Sequence, residues 1–359
     1  MVEGNSWRAN PEKLTRFVAV ALQKAGIPKP DADLTAEVLV QADLRGVHSH
    51  GVERLYIVPG SQYIKNIQAG KLNPHPNIVV RRGSLTTATV DGDRGLGFVV
   101  SCRAMNEAIE MARKNGSGWV SVYNSTHYGA GAYYSMMAPP HDMVGFSFTT
   151  GGNIVGAPGG RGKPVGANVI SVAAPGKRCG PFVLDMATCV APGGRMRIAA
   201  RSGKKLPEGW GVNDDGTPMT DANEFNEGRG ALLPLGSTIE NGAYKGFGLA
   251  LVVDILTGLL SGSGGAMLHT KKGGSHAFGA LRVDAFPGGE DFKDQMDALI
   301  EKIHSIPPLP GFKGVMYPGE RENVLCEERL KSGIPLEDEV VDSLKAMARD
   351  LGIPMDVQM

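Results

Sequence analysis

The chain has 359 residues, of which 42% are hydrophobic and 21% charged, so it can form two or three globular domains. Basic and acidic residues both number 37, and this zero net charge lacks the basic excess that nucleic-acid binding requires. Neither a secretory signal nor an apolar run of the roughly 20 residues that span a bilayer is found. We therefore expect a soluble, cytoplasmic protein that binds neither nucleic acid nor membrane.

The first part of the chain is predicted to be helical. Asn10 can cap a helix that has Pro11 at its first position, and apolar residues then recur at helical spacing until Gly26. A second helix is expected to begin near Asp31 and to stop at Gly46.

The stretch "LRGVHSHGVERL", residues 44–55, follows the second helix. A third helix is predicted from about His50 toward Gly70, and residues four apart share a helix face, so His50 and Arg54 should project together while His48 points elsewhere. The stretch fits a catalytic acid with an anion clamp, a solvated polar turn, or a metal site. Zinc would need further ligands, and the sequence has no HExxH motif and no cysteine cluster.

The middle of the chain alternates between helix and strand, which is typical of an α/β protein. One helix is predicted to end at Gly116, and strands are predicted at "WVSVYN", "MVGFSFTT", "ANVISVAAP" and "PFVLDMA". Segment 203–230 is polar and turn-rich, which indicates an excursion over the core. The run "YKGFGLALVVDILTGLLSG" is apolar nearly all round and predicts a buried helix.

Two further features bear on the fold class. Amphipathic helices are predicted at 294–303 and 336–351. The glycine fingerprint GxGxxG of a Rossmann domain is absent, because "GLGFVV" and "GAGAYY" both lack the third glycine. A nicotinamide cofactor would therefore have to bind by another design.

Eight motifs occur in the order in which the malate/L-lactate dehydrogenase family of the non-Rossmann type carries similar ones. The resemblance extends from about residue 12 to 354. The motifs are "DLRGVHSHGVERL", "NSTHYGAGAYY", "APGG", "VLDMAT", "LPEGWGVNDDGTPMTD", "LLPLG", "YKGFGLAL" and "PGERE" followed by "GIPL".

The resemblance implies the fold and the assembly. It implies a non-Rossmann mixed-sheet α/β core over 76–321, which binds the cofactor and carries the excursion. The N-terminal helical region, 1–75, is expected to pack with the C-terminal segment, 322–359. Members of this family pair as homodimers with the cofactor site near the interface, and we expect the same here.

The resemblance also implies the catalytic residues. Oxidation of a 2-hydroxy acid needs a group that titrates near neutral pH, and His50 in "SHG" is the expected acid/base. Ser49 is expected to bond the substrate oxygen or the ring, and Arg54 to grip a carboxylate through its planar fork. His127 is expected to polarise the oxygen, with Asn124 orienting it.

Three stretches are expected to bind the cofactor by resemblance. They are the strand residues Pro181, Phe182, Val183, Leu184, Asp185, Met186 and Ala187, the pair Tyr244 and Lys245, and the run Gly319, Glu320 and Arg321. Lys177 and Arg178 lie on a turn where they could hold the 2′-phosphate of NADP or simply be solvated. NAD is the expected cofactor, with NADP possible.

The family resemblance implies malate or oxaloacetate as the substrate, and an arginine clamp with basic groups nearby suits such a dicarboxylate. The family also acts on sulfolactate, lactate, ureidoglycolate, diketogulonate and cyclic imines, which remain alternatives. Val58 stands where the family commonly has a tyrosine, with Tyr56 nearby, and this departure affects the substrate side wall. A metal-dependent hydrolase using His48, His50 and His127, and a silent dinucleotide-binding protein, are the rival functions.

Overall fold

The structure is a computed structural model that describes residues 7–56, 62–268 and 273–359. Its α-helices α1–α12 are, in chain order, Pro11–Lys24, Lys29–Leu44, Tyr63–Gln68, Gly97–Asn115, Gly131–Ser135, Gly193–Arg201, Ala222–Asn226, Ala243–Asp254, Gly265–Leu268, Phe292–His304, Glu320–Ser332 and Asp338–Leu351. Its strands β1–β13 are Arg8–Ala9, Val79–Arg82, Thr87–Asp91, Ser117–Ser125, Met143–Thr149, Asn153–Val155, Val165–Gly166, Val169–Ala174, Phe182–Ala187, Gly211–Val212, Ala231–Leu232, Gly274–Arg282 and Ile334–Pro335.

A mixed sheet forms the centre of the part of the chain that the structure describes. It has seven strands in the order β2-β3-β4-β12-β5-β8-β9. Strand β12, late in the sequence, lies between β4 and β5 and runs antiparallel to both. Strands β3 and β4 are parallel, whereas a doubly wound dinucleotide-binding sheet is mostly parallel and ordered 3-2-1-4-5-6. The predicted non-Rossmann α/β class is confirmed.

The N-terminal helices pack with the C-terminal segment, as predicted. Strand β1 pairs with β13, and helices α1, α2 and α12 share one apolar core in which Leu14, Leu39 and Leu344 are buried. The Asn10 side chain caps α1 by accepting a hydrogen bond from the Lys13 amide at 3.0 Å. The burial of apolar side chains from both ends of the sequence therefore holds the N-terminal helices and the C-terminal segment together in one unit.

Helix α4 ends before Gly116, whose left-handed φ of 84° closes the helix as the sequence predicts. The helix packs against the sheet through buried side chains that include Met105 and Met111, opposite Val120 of β4 and Phe278 of β12. The four predicted strands are present as β4, β5, β8 and β9. The sheet and α4 thus form the rigid wall on which the candidate site is built.

The predicted third helix is wrong. Residues 48–55 form two short 3₁₀ turns, His48–His50 and Val52–Leu55, which meet at the extended Gly51, and helix α3 begins only at Tyr63. The hydrophobic pattern did not reveal the interruption, because a side chain from the preceding helix causes it. Val58 lies outside the described residues.

That side chain is Asp43, which is almost completely buried at the end of α2. Its carboxylate accepts hydrogen bonds from the Val52 amide at 2.8 Å and from His48 Nδ1 at 2.9 Å. Arg329 of α11 contacts His48 Nε2 at 3.0 Å and donates to the carbonyl of Asp43. The carboxylate therefore takes the place of a helical backbone acceptor and bends the chain at Gly51.

Helix α8 also differs from its prediction. Ala250 and Val253 are buried, but Leu249, Val252 and Ile255 are 40%, 44% and 47% exposed. The helix packs by one side only, so the prediction that it is buried all round is wrong for a single chain. The apolar outer side is left uncovered.

Segment 203–230 contains β10 and α7, and most of its residues are exposed, as expected of an excursion. Strand β10 pairs with β11, and β11 pairs in turn with β6, so the excursion is fastened to a second, smaller sheet. Among the described residues, no helix combines the length and the apolar character needed for membrane crossing.

We predict that Gly51→Ala destabilises the protein, because an added Cβ would lie 2.2 Å from both Asp43 carboxylate oxygens. Overpacking of this kind costs about 1–3 kcal/mol, and urea unfolding measures it. Gly314→Ala is the matched control, since a Cβ there meets nothing within 4 Å. Equal unfolding midpoints for the two variants would contradict the role assigned to Asp43.

Candidate active site

A cleft of about 1310 Å³ lies between the 48–55 segment and the sheet. The four residues expected to be catalytic, Ser49, His50, Arg54 and His127, all line it. Ser49, His50 and Arg54 come from the two 3₁₀ turns, whereas His127 follows the end of β4. The fold therefore brings together side chains more than seventy positions apart in the sequence.

His50 is held by its neighbours on the same segment. The Ser49 hydroxyl contacts His50 Nδ1 at 3.0 Å, which assigns the outward nitrogen, Nε2, to any proton transfer. Arg54 Nε donates to the Ser49 carbonyl, so the guanidinium is fixed beside the same turn. His50 and Arg54 thus share the cleft as the sequence predicted, although no continuous helix joins them.

The His127 ring stacks on His50, with centroids 5.7 Å apart and planes 21° from parallel. Its Nδ1 lies 2.6 Å from the Tyr63 hydroxyl and accepts a hydrogen bond from the Gly129 amide at 3.3 Å. An Nδ1 that accepts leaves the proton of the neutral ring on Nε2. His127 is therefore placed to donate a hydrogen bond to an oxygen in the cleft.

Both imidazoles are shifted toward the neutral form. Burial, followed by the charges of Arg54 and Arg197, lowers the pKa of His50 to about 3. Burial and Arg54 also lower the pKa of His127 well below its usual value. His127 is exposed to the cleft, so solvent weakens both the burial and the charge contributions to its shift. Two neutral rings beside a guanidinium form a site with excess positive charge.

His276 of β12 supports this arrangement from below. Its Nδ1 lies 2.7 Å from Thr149 Oγ1, and its Nε2 lies 3.0 Å from Ser125 Oγ and 3.1 Å from the Thr126 carbonyl. The ring also stacks on Tyr128 with centroids 4.7 Å apart. Burial lowers the pKa of His276 to about 4. The neutral ring fixes the backbone immediately before His127.

The strand expected to bind the cofactor lies beside the cleft. Asp185, Met186 and Ala187 line the cleft itself, and Val183, Leu184, Asp185 and Gly319 line an adjoining pocket of about 250 Å³. Asp185 is shared by both cavities and accepts a hydrogen bond from the Ala132 amide at 2.8 Å. Burial raises the pKa of this carboxyl group to about 6.

The other expected cofactor residues lie outside these two cavities. Tyr244 and Lys245 are exposed at the start of α8, and Arg321 is exposed on α11. Glu320 accepts hydrogen bonds from the Tyr317 amide and faces His304. The strand residues Pro181 and Phe182 are half-buried beside the smaller pocket rather than lining it.

The sequence analysis missed several residues that line the cleft or support its histidines. Tyr63 holds His127, whereas the Asn124 side chain, expected to do so, bonds Asp91 instead. The Tyr56 hydroxyl bonds Asp350 of α12. A histidine inside the apolar strand "SHAFGAL" was an available signal for His276, because a buried polar ring needs partners. Tyr63 and Arg197 carry no comparable sequence signal.

The metal alternative finds little support in this geometry. His48 contacts Asp43 and Arg329 rather than the two cleft histidines. In residues 7–56, 62–268 and 273–359, no group of three or more histidine, cysteine, aspartate or glutamate side chains is placed to hold a metal ion.

Comparison with known proteins identifies the family to which the chain belongs. The family model described as malate/L-lactate dehydrogenase matches residues 9–345. The chain belongs to the malate/L-lactate dehydrogenase family. Within this family, the malate dehydrogenase of Pyrococcus abyssi is 41% identical, with 98% of this chain and 97% of that protein covered.

Two further relatives support the same placement. The L-sulfolactate dehydrogenase of Methanocaldococcus jannaschii is 36% identical, with 96% of this chain and 98% of that protein covered. The solved malate dehydrogenase from Pyrococcus horikoshii OT3 superposes with a TM-score of 0.88 at 38% identity, covering 99% of this chain and 98% of that one. The family resemblance read from the motifs is confirmed.

We predict that His50 stays neutral at pH values where an ordinary histidine, with a pKa near 6.5, is protonated. Nuclear magnetic resonance of the imidazole carbon-bound protons, assigned with His50→Gln, measures the titration. Arg54→Met should raise the pKa of His50, because it removes one positive charge, while burial keeps the pKa below the ordinary value. Titration of His50 near pH 6.5 in the unmodified protein would refute the electrostatic description.

Proposed function

We propose that this protein is an NAD-dependent malate dehydrogenase that transfers hydride between C2 of malate or oxaloacetate and the nicotinamide ring. A 2-hydroxy acid dehydrogenase activity follows from the family, and the relative that is 41% identical is named malate dehydrogenase. The observation that carries the proposal is the pair of stacked histidines, His50 and His127, which line one cleft together with the buried Arg54.

His50 is proposed as the acid/base. A bound nicotinamide would supply the acceptor for the hydride that leaves C2 when the C2 hydroxyl of malate loses its proton. His50 Nε2 takes the hydroxyl proton, because Ser49 engages Nδ1. In the reverse direction the same nitrogen returns the proton to the oxygen of oxaloacetate.

The substrate carboxylate next to C2 is proposed to bind Arg54, a residue that is 8% exposed and whose Nε donates to the Ser49 carbonyl. A bidentate grip on a carboxylate fixes the orientation of the adjacent carbon. His127, neutral with its proton on Nε2, would donate to the C2 oxygen and stabilise the charge that develops there. Tyr63 holds this tautomer.

Substrate binding and proton uptake are coupled in this proposal. The positive charge that depresses the pKa of His50 is offset when an anionic acid binds Arg54. The pKa of His50 therefore rises in the complex, so the ring can be protonated when oxaloacetate is to be reduced. In the oxidation direction the neutral ring is already a base.

The residues present fit a dinucleotide. The 250 Å³ pocket is partly apolar, with Tyr133, Met136 and Val183 able to cover an adenine ring, and it joins the cleft at Asp185. The cleft could receive the nicotinamide end beside His50. Asp185 and Glu322 are proposed to hold ribose hydroxyls, and Lys245 and Arg321 remain candidates for the pyrophosphate.

NAD is proposed rather than NADP. Lys177 Nζ lies 2.8 Å from Asp294, and Arg178 pairs with Asp297 and Glu301, so both basic groups are engaged with α10. Asp185 and Glu322 in the small pocket suit a ribose diol and repel a 2′-phosphate.

We also propose that the enzyme acts in the cytoplasm. The free thiols at all four cysteines suit that reducing compartment.

A homodimer is proposed as the working assembly. The exposed side chains of Leu249, Val252, Ile255 and Leu259 recur every three or four residues along α8 and its π-helical continuation. This outer stripe of α8 is a continuous apolar surface on a helix. A two-fold axis beside it would bury the stripe against its own copy, and it would place Lys245 near the interface.

We predict that the purified protein oxidises NADH with oxaloacetate at least tenfold more efficiently than NADPH, measured by the loss of nicotinamide absorbance across a panel of 2-oxo acids. His50→Ala should lower kcat by roughly 10²- to 10⁴-fold, and Arg54→Lys should mainly raise KM for the acid. The exposed His141→Ala is the control and should change neither constant.

Other results would assign the alternatives. NADH binding without turnover of any acid would indicate a silent dinucleotide-binding protein. Activity lost to chelators, with equal damage from His48→Ala and His50→Ala, would indicate a metal-dependent hydrolase.

We predict that Val252→Asp dissociates the dimer, because it buries a charge at the centre of the outer stripe of α8. Sedimentation should show the unmodified protein at twice the 37.9 kDa of one chain and the variant near that single mass. Leu85→Asp, at a residue that is 76% exposed and distant in sequence from the stripe, should leave the dimer intact. A monomeric unmodified protein at micromolar concentration would refute the assembly.

A further inference from the structure

We propose that Arg197 of helix α6 binds the second carboxylate of the substrate, the one farther from C2, and so selects dicarboxylic 2-oxo acids over monocarboxylic ones. The inference rests on the proposed function, in which Arg54 binds the first carboxylate. It assigns the choice of substrate class to a residue outside the "SHGVER" segment that carries the proposed acid/base and first clamp.

Helix α6, Gly193–Arg201, lines the cleft beside the 48–55 segment. A Cβ built on Gly194 would stand 3.3 Å from the Cβ of Ser49 and 3.8 Å from Nη2 of Arg197. The missing side chain at Gly194 thus lets α6 approach the turn closely. The Arg197 guanidinium and the Ser49 side chain border the same gap, directly beside His50.

Arg197 and Arg54 act on the same pair of rings from two different elements. The charge of each lowers the pKa of His50 and of His127, so both guanidinium groups are near the reacting centre. Arg54 belongs to the 52–55 turn and Arg197 to α6, and both line the cleft. Two guanidinium groups on separate elements can each bind one carboxylate of an acid that has a carboxylate at each end.

Charge balance gives the direction of selectivity. A monocarboxylic acid such as pyruvate satisfies Arg54 and brings no anion to Arg197. A dicarboxylic acid brings one anion to each, and charge-assisted hydrogen bonds of this kind are about twice as strong as neutral ones. A diacid also offsets more of the charge that depresses the pKa of His50, which favours the protonated ring needed for reduction.

The neighbouring Arg195 provides a matched control. It lies on the same helix, lines the same cleft and carries the same charge, but its guanidinium is placed over the Trp210 ring, 6.0 Å from the centroid. A change at Arg195 therefore alters the overall charge of the cleft without removing the contact proposed for Arg197. General electrostatic effects and specific carboxylate binding can be told apart by comparing the two positions.

The decisive measurement is kcat/KM for oxaloacetate and for pyruvate in the unmodified protein and in three variants. Arg197→Met should lower the value for oxaloacetate about 10²-fold, mainly through KM, and change the value for pyruvate less than about threefold. Arg195→Met should change both acids by the same small factor. Arg197→Lys should restore part of the loss, because it returns the charge but not the planar fork.

A binding measurement separates this inference from the proposed function. Calorimetry with succinate and with propionate, with and without NADH, needs no turnover. Succinate should bind the unmodified protein, and Arg197→Met should weaken that binding. The affinity for propionate should be the same in the unmodified protein and in Arg197→Met. If succinate binding depends on Arg197 but the protein turns over no oxaloacetate, the malate dehydrogenase proposal is rejected and the role of Arg197 stands. Equal losses for both acids in folded Arg197→Met, or no loss for either, would overturn the role of Arg197.

Discussion

The buried Asp43 carboxylate accepts hydrogen bonds from the Val52 amide and His48, and the position of the whole 48–55 segment depends on this contact. A carboxylate removed from water is costly unless several donors surround it. These donors come from the turn itself, with Arg329 of α11 on the far side of His48. The cost of burial is thereby offset only when the turn adopts the geometry that aims His50 into the cleft.

The same turn sets the electrostatics of the site. It places Arg54 beside His50 in a cleft surrounded by protein, where charges interact more strongly than in water. Burial, together with the charges of Arg54 and of Arg197 on α6, lowers the pKa of both His50 and His127. In the proposed function, substrate binding and readiness for proton transfer are aspects of one charge balance.

Local patterns predicted most of the elements well. The Asn10 cap, the helix that ends at Gly116 and the strand Phe182–Ala187 follow from capping, glycine chemistry and apolar runs. The third helix was predicted wrongly over residues 48–55, because the Asp43 carboxylate competes with the helical hydrogen bonds of that segment. Burial of α8 was predicted wrongly because the composition of an apolar helix does not say which of its sides packs against the core.

The sequence by itself determined the class of the fold, the family and the candidate residues Ser49, His50, Arg54 and His127, because these depend on local spacing and on motifs that survive in order along the chain. Only the tertiary structure decided what surrounds them: Arg197 lines the cleft and the buried Tyr63 contacts His127, and the sequences of their elements carry no sign of either contact. Contacts between distant segments depend on how helices and strands pack, and packing is a property of the folded chain that one-dimensional periodicity does not encode.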